Sequence, residues 1–256
     1  MIPDIPWSIT VISVATNVAI VIAVTAIVAS AGARSGLAPQ ARRAVRLGTG
    51  IFLAAWLGLA WLLAPPAASL AARDRFSLSP LIPLFAIVPV VAVLLAIRFS
   101  PALRQVLSAA SLPALIGVQF YRTLGVLFVI LMTMGQLPAR FALPAGWGDI
   151  AIGLTAPLVA LALARGTRGS RAIATSWNVV GLLDLVVAVG MGTGLLAPYL
   201  APELGPRVQP AAAMGIFPMF LVPAFAVPVS VLLHLIALGR LRREVRTRSG
   251  RVAVAA

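Results

Sequence analysis

The chain has 256 residues, 61% of them hydrophobic and only 10% charged, with a mean hydropathy of +1.05. A water-soluble domain carries about 25% charged residues, so this composition excludes a soluble globular fold and points to an all-α, polytopic membrane bundle. The formal net charge of +14 does not indicate nucleic acid as a partner, because no polar stretch is long enough to form a binding domain and the charges sit at the ends of apolar runs.

Seven apolar runs predict seven transmembrane helices in one domain: 7–31, 45–64, 80–97, 114–136, 148–164, 173–196 and 215–238, followed by a basic tail, 239–256. Each is about the 17–25 residues that cross a bilayer. Span 1 carries Thr10, Ser13 and Asn17. Its Ala29-Ser30-Ala31 imitates a signal-peptidase site, but the basic n-region is missing and Asp4 stands there, so the helix is read as retained. Pro65-Pro66 stops span 2. Prolines crowd the outer halves of spans 3 (Pro80, Pro83, Pro89) and 7 (Pro218, Pro223, Pro228), where each removes a backbone donor. The 198–210 loop has proline at every fourth residue, which reads as a rigid connector or a short external lid.

Arginine placement orients the bundle. The loops after spans 1, 3 and 5 and the tail hold most of the arginines, whereas the alternate loops hold only Arg73, Arg75, Arg140 and Arg207. The positive-inside rule then puts the N-terminus outside and the C-terminus in the cytoplasm, which an odd number of spans requires. Span 3 (Pro83-Leu84-Phe85-Ala86, then Val88-Pro89-Val90) aligns with span 7 (Pro223-Ala224-Phe225-Ala226, then Val227-Pro228-Val229). The alignment is compatible either with parallel three-helix repeats in a 3+1+3 plan or with chance similarity between apolar helices. Such a plan resembles the SWEET and PQ-loop proteins, although Pro39-Gln40 is expected in a loop here rather than within a helix as in that family, so membership is not implied.

Several polar residues fall at membrane depth. In span 4, Gln119-Phe120-Tyr121-Arg122 lies in the first turns, and Arg122, Gly125, Val129, Thr133 and Gln136 share a helical face. Arg122 either snorkels to the headgroups or is a buried cation awaiting a carboxylate or an anionic ligand. In span 5, Asp149 is expected to cap the outer helix N-terminus, beside Trp147 as an interfacial anchor and above a stripe of Gly153, Ala156, Ala160 and Ala164. Span 6 carries Asp184 near its centre. Trp177, Gly181, Asp184, Ala188 and Gly192 form its small, polar side, while Val179, Leu182, Leu183 and Val186 form the apolar one. A mid-span carboxylate costs about 2.5–3.5 kcal/mol to insert, so it is expected to face the bundle interior. Asn178 and His234 each read either as interhelical hydrogen-bonding glue or as an orienting hydrogen bonder of a polar site.

Enzyme chemistry finds little support. No lysine is present for a retinal Schiff base, and no cysteine for a disulfide, thiolate metal site or nucleophile; one histidine excludes bis-His haem and multi-His metal centres, so no metal or cofactor is expected. Gly146-Trp147-Gly148-Asp149 matches the Gly-x-Gly-Asp signature of intramembrane aspartyl proteases. With Asp149 at the outer boundary and Asp184 about 18 Å deeper at 1.5 Å per residue, the two carboxyls are not expected to share a proton.

Phe120-Tyr121-Arg122, the Leu137–Asp149 stretch and Trp177-Asn178-x-x-Gly181-Leu182-Leu183-Asp184 together resemble a group of small bacterial integral membrane proteins of unassigned function. That resemblance implies a bacterial inner membrane and supplies no activity, substrate or cofactor. The functional expectation is a small-solute permease or ligand-binding membrane protein whose site uses Asp184, Arg122, Asn178 and His234, with Asp149, Gln119 and Asn17 as secondary polar positions. Its partners would be the lipid bilayer and a small-molecule ligand. The alternative is a structural or assembly subunit with a protein partner or a second copy of itself.

Overall fold

A computed structural model describes residues 5–66, 81–193 and 211–254, with 244–254 as backbone only. All regular secondary structure among the described residues is helical, and seven helices among them are long and apolar enough to cross a membrane. In chain order these are α1 (Trp7–Arg34), α2 (Pro39–Leu62), α3 (Leu81–Phe99), a composite fourth span (Leu112–Thr133), α7 (Ala139–Ala164), α8 (Ser170–Thr193) and a seventh span (Val222–Arg243). A short α4 (Pro101–Ser108) links α3 to the fourth span; its N-cap Ser100 accepts from the Leu103 N–H. The 198–210 loop and Pro80 lie outside the described residues.

Two spans differ from the sequence expectation. α7 begins at Ala139, not near 148, and runs through Pro144 and Pro157. Asp149 is therefore ten residues inside a helix and caps nothing, which corrects the expectation of an N-terminal carboxylate. Pro39-Gln40 opens the first turn of α2 rather than sitting in a loop. There proline forfeits no bond, because the first helical N–H groups have no intrahelical partner.

The fourth span is not uniform. It starts as α5 (Leu112–Gly117), tightens to a 3-10 helix over Val118–Gly125 and resumes as α6 (Val126–Thr133). The face expected to run from Arg122 to Gln136 does not form, since Thr133 is exposed and Gln136 lies beyond the helix end. Instead Gln119, Arg122 and Gly125 are buried at a spacing of three, the repeat of a 3-10 helix.

The seventh span is entered through irregular backbone: a 3-10 turn at Ala212–Gly215, a cis Phe217-Pro218 bond and a π-helical turn over Val222–Ala226, which leads into α9 (Val227–Val254). Non-helical backbone at membrane depth persists where protein covers it or where it lines a wet cavity, and here Ile216, Met219, Phe220, Leu221, Ala224 and Phe225 are all fully buried. Its polar groups find partners elsewhere. Pro228 cannot donate to the Ala224 carbonyl, and Trp56 Nε1 of α2 donates to it instead at 2.9 Å. The Phe217 N–H donates to the Pro65 carbonyl at 2.9 Å and the Ala211 N–H to that of Gly192 at 3.0 Å.

Two apolar clusters make up the core. One joins α1, α2, α5, the second half of α7, the start of α8 and the seventh span around Ile20, Trp56, Ile116, Ile152, Trp177 and Phe225. The other gathers Ile9, Phe128, Leu131, Phe141, Met191 and Met219. Large apolar side chains such as Leu154, Leu158, Val180, Leu183 and Val186 point outward, as a bilayer permits and water does not.

Candidate functional site

The polar residues lie where four helices pass from one apolar cluster to the other. On α1, Ser13 and Asn17 fall between Ile9 and Ile20. On the fourth span, Gln119 and Arg122 fall between Ile116 and Leu127; on α7, Asp149 falls between Ala145 and Ile152; on α8, Asp184 falls between Trp177 and Met191. The result is a polar layer across the middle of the bundle.

Arg122 is the centre of that layer and is 3% exposed. Its Nε–H donates to Asp149 Oδ1 at 2.6 Å, and its Nη2 donates to Asp184 Oδ2. Nη1 donates to the Gly181 carbonyl at 3.4 Å and faces His234 Nε2 at 3.1 Å. The rigid, planar fork of donors in arginine suits this convergence. Arg122 therefore does not snorkel to an interface.

The hydrogen-bond network assigns the histidine tautomer. Asn178 Nδ2 donates to the Ala174 carbonyl at 2.7 Å, so Oδ1 is the atom facing His234 Nδ1 at 2.8 Å and must accept. His234 then carries its proton on Nδ1 and offers the Nε2 lone pair to Arg122. Its ring is fully buried and lies against Trp177, with centroids 5.3 Å apart, and Trp177 Nε1 donates to Thr155 Oγ1 at 2.9 Å. Asn178 therefore positions His234 and not Asp184, although it shares a helix with the aspartate.

Two glycines make room for these groups. A Cβ at Gly148 would collide with the Asp184 carboxylate, and one at Gly181 would stand 2.5 Å from His234 Cε1 and 2.6 Å from Nε2. The carboxylate of one helix and the ring of another thus rest on bare backbone, which a larger residue would forbid. Gly181 belongs to the stripe read from sequence; the role of Gly148 was not legible, because what fills its space comes from 36 positions away.

The remaining secondary positions frame the site. Gln119 is 1% exposed, and its Nε2 donates to the Ser230 carbonyl at 3.3 Å. Tyr121 bonds through its hydroxyl to Ser230 Oγ, a pair the sequence did not announce. Asn17 is 2% exposed, and its Nδ2 donates to the Ser13 carbonyl at 2.8 Å. A cavity of ≈ 60 Å³ lies between α1, the 3-10 segment, α7 and the seventh span, with Asn17, Tyr121, Arg122, Asp149 and Ser230 in its wall. Asp184 is not among the lining residues described.

Depth does not separate Asp149 from Asp184 as the sequence suggested, since both reach one guanidinium. They accept from different nitrogens of one guanidinium, Asp149 from Nε and Asp184 from Nη2. Among the described residues, no group of three or more histidines, aspartates or glutamates is placed to hold a metal ion.

A family model for a domain of unknown function, DUF8737, matches residues 79–242, well over half of the chain. The chain belongs to the DUF8737 family. Arg122, Asp149, Asn178, Asp184 and His234 all lie within the DUF8737 segment, whereas Ser13 and Asn17 of α1 lie before it. No curated protein and no solved structure matches the chain.

Proposed function

We propose that this multi-pass protein is a ligand-binding membrane protein of the small-solute permease class, placed in a bacterial inner membrane with its N-terminus outside. The observation that carries the reading is the guanidinium of Arg122 held between carboxylates from two other helices. Buried ion pairs rarely add net stability, and well-packed apolar residues often serve at least as well. Three formal charges inside an apolar bundle are therefore better explained by work done there than by packing. In this reading Asp184 is the proton- or cation-responsive acid and Arg122 its counter-ion, while Asn178 and His234 orient the guanidinium.

The test is uptake into proteoliposomes from a panel of labelled amino acids, sugars and organic acids, measured across a pH series. Asp184→Asn, nearly isosteric, is expected to remove the pH dependence of uptake in protein that still purifies as a monodisperse species. Unchanged flux and pH profile in that variant would end the assignment. The second reading, an assembly subunit, draws on the internal satisfaction of the Arg122 network and on the separation of Asp184 from the cavity. It predicts a stoichiometric protein partner on gentle purification and no uptake.

A further inference from the structure

The polar layer is one positive charge short. Among the described side chains facing it, Arg122 is the cation, Asp149 and Asp184 are the anions, and His234 and Tyr121 are the other titratable groups. With both aspartates ionised, the layer carries a net charge of minus one at membrane depth.

On the α1 side of Asp149 two buried side-chain oxygens have no hydrogen-bond partner. Asn17 Oδ1 and Ser13 Oγ are both buried, at 2% and 4% residue exposure, and neither has a hydrogen-bond partner. An amide oxygen and a carboxylate can only accept, and a buried acceptor left unmet costs about 1–3 kcal/mol. Native proteins meet such atoms with ordered water or an ion. Both residues line the ≈ 60 Å³ cavity that Asp149 also faces. By the same measure one water needs about 10–15 Å³, so a small ion and two or three waters fit.

We propose that this cavity binds one small, oxygen-seeking monovalent cation, hydronium or sodium, through the Asp149 carboxylate, Asn17 Oδ1 and Ser13 Oγ. Water alone would satisfy the acceptors but would leave the charge. A divalent ion would overcompensate it and would sit beside the guanidinium of Arg122, which also lines the cavity. Hard cations select carboxylate, carbonyl and water oxygens, the donor set present here. The site goes beyond the proposed function: it is built on Asp149, not on the Asp184 acid of that reading, and it does not depend on transport. It also gives α1 a task, supplying neutral oxygens that share the ion with a carboxylate held by α7.

The experiment uses the full chain in detergent, without any solute. Apparent melting temperature is followed against NaCl, with choline chloride keeping ionic strength constant, and separately against pH in sodium-free buffer. For sodium, a saturable rise at fixed pH is expected that choline does not produce. For hydronium, no sodium response is expected, but a single-proton pH transition is. Either response should vanish in Asp149→Asn and should need about tenfold more ion in Asn17→Val, the equivalent of one lost interaction. Ser13→Ala, which removes one hydroxyl, supplies the same comparison should Asn17→Val not fold. Because Ser13 and Asn17 face the cavity that Asp184 does not, an ordinary titration of Asp184 would be indifferent to both. A wild-type protein that responds to neither ion, or responds identically in the Asn17 and Ser13 variants, overturns the proposal. Solute flux without an ion response would retire this inference alone; an ion response without flux would retire the permease alone.

Discussion

Replacing Arg122 by methionine removes the donors to two carboxylates, to His234 and to the Gly181 carbonyl at once. Breaking a buried ion pair from one side costs about 3–5 kcal/mol, chiefly because the partner is stranded. Two stranded carboxylates put Arg122→Met at the upper end of that range. At about 2–4 °C per kcal/mol for a chain of this size, the apparent melting temperature should fall by about 10–20 °C. The triple variant Arg122→Met, Asp149→Asn, Asp184→Asn leaves no charge to strand. Exchanging a buried charge network for neutral groups of similar volume is often neutral or stabilising, so the triple variant should melt within a few degrees of wild type while losing every ligand response. The measurement is tryptophan fluorescence during heating, with Trp177 beside His234 as a local reporter; comparing variants at one scan rate avoids assuming reversibility. If the triple variant melts as low as Arg122→Met, the charges are contributing net stability. The argument from buried ion pairs to function would then fail.

Gly125→Ala would place a Cβ 2.5 Å from Asp149 Cβ and 2.7 Å from the Gly146 carbonyl, which is backbone and cannot rotate away, so a loss of about 1–3 kcal/mol is expected. Gly58→Ala, with nothing within 4 Å, is the control and should gain up to about 1 kcal/mol from helix propensity. Trp56→Phe keeps the ring against Phe225 but leaves the Ala224 carbonyl without its indole donor, and should cost about 1–3 kcal/mol in the same melting assay. The absence of cysteine makes the chain its own background for topology mapping. With the N-terminus outside, Met134→Cys should react with an impermeant maleimide on intact cells and Thr167→Cys only after permeabilisation; the reverse pattern would invert the orientation.

The spans were legible because their apolar runs outlast any local breaker. So was the inward aspect of Asp184, since the 3.6-residue period separates Gly181 from the outward Val179, Leu183 and Val186. Asp149 was misplaced for a local reason. Pro138, Pro144, Gly146 and Gly148 read as turn chemistry, yet the helix runs from Ala139 straight through them. Pro144 forfeits one backbone bond, and the glycines admit Asp184 and the fourth span at close range. What looked like a loop is a contact surface, and only the partner helices reveal it. The pairing of Asn178 with His234 was hidden for a similar reason: any of several acceptors at that depth would have satisfied the same residues.

The 3-10 segment explains why these groups meet at all. In an α-helix, residues three apart differ by about 60° around the axis, whereas in a 3-10 helix they eclipse. Over Val118–Gly125 that stacks Gln119, Arg122 and Gly125 on one line, pointing respectively at the Ser230 carbonyl, at the two aspartates and at the backbone of α7. Opposite it stands the other irregular stretch, the π turn at Val222–Ala226, and the Tyr121 hydroxyl bonds to the Ala226 carbonyl across the gap at 3.4 Å. Helices that only need to stick together can do so with small residues and regular backbone. Here two departures from regular helix face each other, both contribute to the wall of one cavity, and Arg122 and Asp149 stand at its edge. Backbone of that kind at membrane depth is found where it is covered by protein or borders a wet site, and the orphaned oxygens of Ser13 and Asn17 in the same wall favour the wet site.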